Sequence, residues 1–228
     1  MNRFKNLDVK WWLGFVVSVL ACIAAYLALI PAPLPTPTPT ILPPTPTLIR
    51  LLQDDFNDDK LDASKWEVGC EQGTVVERDG KVYFHLPPTP SSPYSHCRLS
   101  PMVEGSKVRK MSVRVTLTNG IGESSWIGVY SSWDNKYLNL EVCPAWVGVT
   151  GENQRRIRME TFRRLQITRL LRTEWLGNEC RFTVADSTMQ QSISCADQPP
   201  YLWFGVYADH DAYVDGTIDD VEIWGVFP

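Results

Sequence analysis

The sequence is poor in the residue patterns that most often announce a chemistry. Its 228 residues hold three histidines, His85, His96 and His210, at no spacing that would seat a metal ion. No Cys-x-x-Cys pair and no Cys–His cluster occurs, which excludes a zinc ribbon or finger. No Gly-x-Ser-x-Gly appears, so the nucleophile elbow of an α/β hydrolase is missing. There is no basic excess either. The net charge is −4, and the first fifty residues carry Arg3, Lys5, Lys10 and Arg50 against Asp8, so the remainder is more acidic still. That balance leaves no footprint for nucleic acid.

Charge is absent altogether from residues 11–30, WWLGFVVSVLACIAAYLALI. At about 1.5 Å per residue this run matches the roughly 30 Å hydrocarbon layer of a bilayer. Basic residues lie before it and none follows until Arg50, which keeps the N-terminus in the cytoplasm and exports the rest. Trp11 and Trp12 stand where an interfacial anchor belongs. The sequence thus predicts a cytoplasmic stub (1–10), a transmembrane signal-anchor helix (11–30) and a single-pass protein of the cell membrane with its C-terminal domain extracellular. Two other readings exist. A cleaved signal peptide has a shorter apolar core and a better cleavage site than Leu29-Ile30-Pro31-Ala32-Pro33. Lipid attachment at Cys22, after Val19-Leu20-Ala21, would call for polar sequence where Ile-Ala-Ala-Tyr follows.

Residues 31–47 read PAPLPTPTPTILPPTPT and hold eight of the seventeen prolines. Proline fixes φ and removes the amide donor, so helix and sheet are both excluded and an extended polyproline conformation remains. The segment 31–49 is therefore predicted to be a semi-rigid linker.

Residues 50–228 suffice for one compact domain. Their pattern is almost wholly β. In VRKMSVRVTLTNG (108–120), Met111, Val113, Val115 and Leu117 alternate with polar residues, the period of a half-buried strand. Segments 124–132, 137–143, 155–162, 164–170 and 201–209 behave alike, with turns at Asn119-Gly120, Asp134-Asn135, Thr150-Gly151, Pro199-Pro200 and Asp215-Gly216. The arginine-rich stretch from Arg155 to Arg172 has many good helix formers. Ile157, Met159, Leu165 and Ile167 nevertheless hold a parity of two, which favours two strands with a solvated, salt-bridged outer face. Many short strands predict an all-β fold, a jelly-roll or β-sandwich ectodomain. In an exported domain, disulfides are the default for Cys70, Cys97, Cys143, Cys180 and Cys195. A hairpin folded about Ser187-Thr188 would set Cys180 directly opposite Cys195. Cys70 with Cys97 is the second predicted pair, which leaves Cys143 over.

The domain opens with LLQDDFNDDKLDASKWEVG (51–69) and closes with DAYVDGTIDDVEIWGV (211–226). Together with FRRLQITRLL leading to ECRFTVAD, these segments resemble concanavalin A-like lectin/glucanase domains across essentially the whole of 50–228. The resemblance implies a jelly roll whose first and last strands lie near one another. Its laminarinase-like members use two carboxylates in an E-x-D-x-x-E strand. The nearest match, Thr217 to Glu222, lacks the first glutamate, so family-type hydrolysis is not expected.

The functional expectation rests on a near-repeat, Trp126-Ile127-Gly128-Val129-Tyr130 and Trp203-Phe204-Gly205-Val206-Tyr207. If the residues between face the core, Trp126, Tyr130, Trp203 and Tyr207 line an outer face, where aromatic rings stack on sugars. Arg114, Asn139 and Glu141 would orient the glycan by hydrogen bonds. Asp209, Asp211 and Asp215 are candidate ligands for a calcium ion, although DHDAYVDG lacks EF-hand spacing. No other cofactor is implied. The sequence alone thus predicts a membrane-tethered, extracellular, non-catalytic carbohydrate-binding module. The alternatives are an adhesion module for a cell-envelope protein and, third, a glycoside hydrolase with an unrecognised acid pair.

Overall fold

The computed structural model of the chain describes residues 9–29, 47–133, 136–151, 156–161, 166–195, 201–209 and 211–226. Most of the stub and linker lies outside the described residues, as do His210 and the Asp134-Asn135 and Pro199-Pro200 turns. The chain divides into two compact units, Met1–Thr45 and Pro46–Pro228. In the first, Val9–Leu29 form helix α1, whose described side chains, Trp12 to Tyr26, are all exposed. Among the described residues no helix is long and apolar enough to cross a membrane, so the anchor reading rests on the sequence alone.

The second unit is all-β. Its strands are β1 (Leu48–Asp54), β2 (Trp66–Cys70), β3 (Thr74–Arg78), β4 (Lys81–Leu86), β5 (Tyr94–Pro101), β6 (Val108–Gly120), β7 (Ser125–Trp133) and β8 (Lys136–Val142). They continue with β9 (Trp146–Thr150), β10 (Arg156–Thr161), β11 (Ile167–Trp175), β12 (Glu179–Val184), β13 (Gln190–Ser194), β14 (Tyr201–Asp209) and β15 (Val214–Val226). One antiparallel sheet runs β13-β12-β11-β6-β15-β4-β3, with β1 also paired to β15; the other runs β10-β9-β8-β7-β14-β5-β2. The first and last strands are thus neighbours, Leu48 opposite Val226. Within the arginine-rich stretch, Arg155 and residues 162–165 lie outside the described residues; the rest forms strands rather than a helix, with β10 at the edge of one sheet and β11 paired with β6 in the other.

Alternation accounts for the core between the sheets. Met111, Val113, Val115 and Leu117 of β6 and Ile127, Val129, Phe204 and Val206 of β7 and β14 are all buried. Both expected disulfides form, Cys70–Cys97 and Cys180–Cys195. The hairpin register corrects one expectation. Cys180 faces Ile193 rather than Cys195, because Thr183 pairs with Gln190 and the hairpin is centred between Asp186 and Ser187 instead of on Ser187-Thr188. The bond closes diagonally across the hairpin end.

The opening motif is structural. One buried carboxylate, Asp54, accepts the amide N–H of Phe56 (3.1 Å) and the indole N–H of Trp66 (2.8 Å), and pairs with the Lys65 ammonium (3.3 Å). It thereby ties β1 to β2. Asp54→Ala leaves two buried donors without a partner, each worth about 1–3 kcal/mol. A loss of roughly 3 kcal/mol is expected in denaturant unfolding, with partial recovery in Asp54→Asn.

Candidate functional site

The outer face of the second sheet is organised in rows that run across its strands. The registers set Gly205 opposite Gly128, Gly128 opposite Glu141, Glu141 opposite Gly148, and Gly148 opposite Arg158. Glu141 is therefore the one side chain in a row otherwise bare between Gly205 and Gly148. To one side stand Tyr207 and Trp126, opposite each other; to the other runs the row Trp203, Tyr130, Asn139, Thr150 and Arg156. The bare row makes a trench and the aromatic rows make its walls. The result is a cleft of about 500 Å³.

The glycines are required by backbone approach. A Cβ on Gly128 would sit 2.2 Å from the Leu140 carbonyl oxygen, and one on Gly148 would sit 2.3 Å from that of Ile157. Gly205 adds a φ of +150°, a region that disfavours any side chain.

The walls are made of rings packed on one another. Tyr130 stacks on Trp203 with centroids 3.8 Å apart and planes 10° apart, and His96 packs against Trp203 at 5.6 Å. Trp126 meets Tyr207 at 5.3 Å, and Tyr94 stacks on Tyr207 at 5.9 Å. Tyr130 has thus given a ring face to Trp203 rather than to solvent. Trp126 and Tyr130 are only 3% and 4% exposed, so the aromatics form a rigid enclosure more than an open platform.

Glu141 is the chemically unusual group. It is 4% exposed, and its carboxylate accepts the hydroxyl of Thr150 on β9. Burial pushes its carboxyl up to about 7, aided by the charge of Asp209, while the Thr150 hydroxyl and the Arg156 guanidinium pull the other way. Near neutrality a large fraction of the protein therefore keeps a proton on Glu141. Burial also drives the hydroxyl of Tyr130 well above the ordinary phenol range, and burial with Asp209 moves Tyr207 to about 12. Asp209, at the end of β14, is the second carboxylate lining the cleft.

Several sequence candidates meet here: Trp126, Tyr130, Trp203, Tyr207, Asn139, Glu141 and Asp209 all line the cleft. Arg114 does not. It lies on β6 in the other sheet, where its guanidinium pairs with Asp220 at 3.1 Å. Asp215 is also elsewhere, bonded to His85 at 2.6 Å, and Asp211 sits on an exposed turn. Among the described residues no group of three or more His, Cys, Asp or Glu is placed to hold a metal ion. Arg156, Thr150 and Tyr94 line the cleft without having been singled out for it. A signal for part of this was present in the sequence. Trp146-Val147-Gly148-Val149-Thr150 is a third copy of the Trp-x-Gly spacing, and it supplies the glycine and hydroxyl that flank Glu141.

No protein-family model and no curated protein matches the sequence. Solved structures do match in fold. An endo-β-galactosidase from Clostridium perfringens that releases GlcNAcα1-4Gal superposes with a TM-score of 0.55 at 13% identity, over 78% of this chain and 62% of that one. A β-1,3-glucanase from Mycobacterium marinum gives 0.53 at 12%, over 77% and 99%. An alginate lyase of polysaccharide lyase family 7 gives 0.57 at 14%, over 72% and 95%. At these identities the likeness establishes the fold alone, a two-sheet antiparallel β-sandwich that this chain shares with those structures. It also overturns the non-catalytic module as the expectation for this chain, since proteins sharing its architecture are glycosidases and a lyase.

Proposed function

We propose that this protein hydrolyses glycosidic bonds, with Glu141 as the general acid. The observation that carries the reading is the Glu141 carboxyl, buried on the trench floor and pushed up to about 7. An acid whose proton is held near the working pH delivers it efficiently to a leaving oxygen. The fold shared with glycan-cleaving enzymes supports the same class of substrate.

In this reading the two acids of the cleft share the work. Glu141 passes its proton to the glycosidic oxygen as the C–O bond breaks, a water adds to the anomeric carbon, and that water's proton goes to a second carboxylate. Asp209 is the second acid of the cleft. Its backbone lies four residues along β14 from the Gly205 row and two strands from β8, an offset of about 14 Å by 10 Å before the side chains reach inward. That separation favours a water between the two acids, as in inversion, over the 5–5.5 Å pair of a covalent mechanism. Strand β8 presents Tyr137, Asn139 and Glu141 to the cleft, so the two-carboxylate strand of laminarinases is not reproduced.

The setting is extracellular in this reading. The uncharged run 11–30, the proline-rich linker and two disulfides support a domain tethered outside the membrane. The test is release of new reducing ends from a panel of O-glycans, galactans, β-glucans and polyuronates by the full chain in detergent. Activity on at least one glycan is expected, with Asp209→Asn slower by tenfold or more. A folded, oxidised chain that releases nothing from the panel would count against hydrolysis.

A further inference from the structure

The polar groups around Glu141 are unbalanced in one direction. Buried in and beneath the cleft are the indole nitrogens of Trp126 and Trp146 and the hydroxyl of Tyr130, none of which has a hydrogen-bond partner among the described residues. An indole nitrogen is a donor only. Leaving such a group buried and unpaired costs about 1–3 kcal/mol. Trp126 and Tyr130 both line the cleft, and their unpaired groups point to acceptor oxygens supplied from outside.

Arg156 stands over the same spot. Its backbone belongs to the Thr150 row, yet its guanidinium lies over the rings of Trp126 (5.4 Å) and Trp146 (5.9 Å), on the far side of the Gly148 row. The side chain therefore arches over the trench beside Glu141. It is the cation among the described lining residues, and it stays partly exposed. Among the described residues the carboxylate paired with it, Glu123, is shared. Glu123 takes a close bond from Arg158 at 2.6 Å and a longer one from Arg156 at 3.4 Å. Two guanidiniums share one carboxylate, so Glu123 neutralises the charge of Arg156 only in part.

We propose that the cleft selects an acidic sugar, with Arg156 and the indole N–H of Trp126 holding an anionic substituent, a carboxylate or a sulfate ester, next to the scissile bond. This rests on the glycan-cleaving reading of the site and specifies its substrate. A neutral sugar leaves the guanidinium paired with Glu123 and offers weaker acceptors to the Trp126 indole. An acidic one supplies two or three anionic oxygens to donors already fixed by packing. The same contact positions the sugar with its glycosidic oxygen toward Glu141.

The test uses binding rather than turnover, so that it stands apart from the hydrolase reading. Full-length Glu141→Gln protein in detergent is titrated calorimetrically with oligosaccharides of three kinds: uronate-containing, sulfated and neutral. Acidic oligosaccharides are expected to bind at least tenfold more tightly than neutral ones of equal length. Arg156→Gln should erase that preference, and Arg156→Lys, which keeps the charge and loses the fork, should restore only part of it. Whether uronate or sulfate binds tighter identifies the anion. A neutral ligand bound as tightly as both acidic kinds, or an Arg156→Gln preference equal to wild type, overturns the proposal even if cleavage is observed. Acidic selectivity with no cleavage by wild type would instead sink the hydrolase reading alone. Arg156 is exposed enough that its replacement leaves the core intact, which circular dichroism checks.

Discussion

Replacing Glu141 with glutamine is expected to lower the turnover of glycan cleavage by about 10²–10⁴-fold and, above neutral pH, to make the protein more stable. The first effect is the loss of a general acid. The second follows from linkage. The carboxyl is pushed up to about 7 in the folded chain, against the ordinary 4.5 of a solvated glutamate. Between those values the folded state holds the extra proton, so stability falls as pH rises from about 4.5 to 7 and is level beyond. The destabilisation accumulated by pH 8 is on the order of 3 kcal/mol. Glutamine carries no charge and escapes it. Denaturant unfolding should therefore give near-equal stabilities at pH 4 and a more stable variant at pH 8. Glu77, also pushed to about 7 by burial and a hydrogen bond with Asp58, titrates in both proteins and cancels from the difference. Cleavage by the wild type should decline above about pH 7 as Glu141 loses its proton.

Gly128→Ala is expected to cost about 3 kcal/mol or more. The added methyl meets the Leu140 carbonyl oxygen at 2.2 Å and the Glu141 Cα at 2.7 Å, both backbone atoms of a central strand that cannot swing aside. Overpacking against side chains alone costs about 1–3 kcal/mol. Gly151→Ala is the control, since its Cβ would meet only the Leu138 side chain at 3.4 Å. A lowered unfolding midpoint for Gly128→Ala with little change for Gly151→Ala supports the trench as a backbone-imposed feature. Because the shift falls on β8, any residual folded Gly128→Ala protein should also be slow in catalysis.

Much of the sandwich was legible because alternation is local. The strand predicted over 108–120 is β6 as read, and parity alone sends Phe204 and Val206 inward. The opening and closing motifs implied neighbouring terminal strands, and β1 lies on β15. Which sheet a strand joins is not local. Arg114 and Glu141 look equivalent along the chain, as polar residues of outward parity. The crossover of the chain between sheets puts one beside Asp220 and the other between Gly128 and Gly148. The buried character of Glu141 was hidden for the same reason. The neighbouring strands β7 and β9 supply Gly128, Gly148 and the Thr150 hydroxyl, and β14, far along the chain, supplies Gly205 and Asp209. Arg156 was submerged in an arginine-rich run that reads as a solvated face, and only the pairing of β10 with β9 brings it over the trench.

The central claim, that this cleft breaks glycosidic bonds by proton transfer from Glu141, is tested most directly by cleavage in heavy-oxygen water. Wild-type and Glu141→Gln chains are incubated with the same acidic and neutral glycans, and the products are weighed by mass spectrometry. New reducing ends carrying one heavy oxygen, formed by the wild type and not by the variant, are the predicted result. Unsaturated products without heavy oxygen, or equal cleavage by the two proteins, would contradict it.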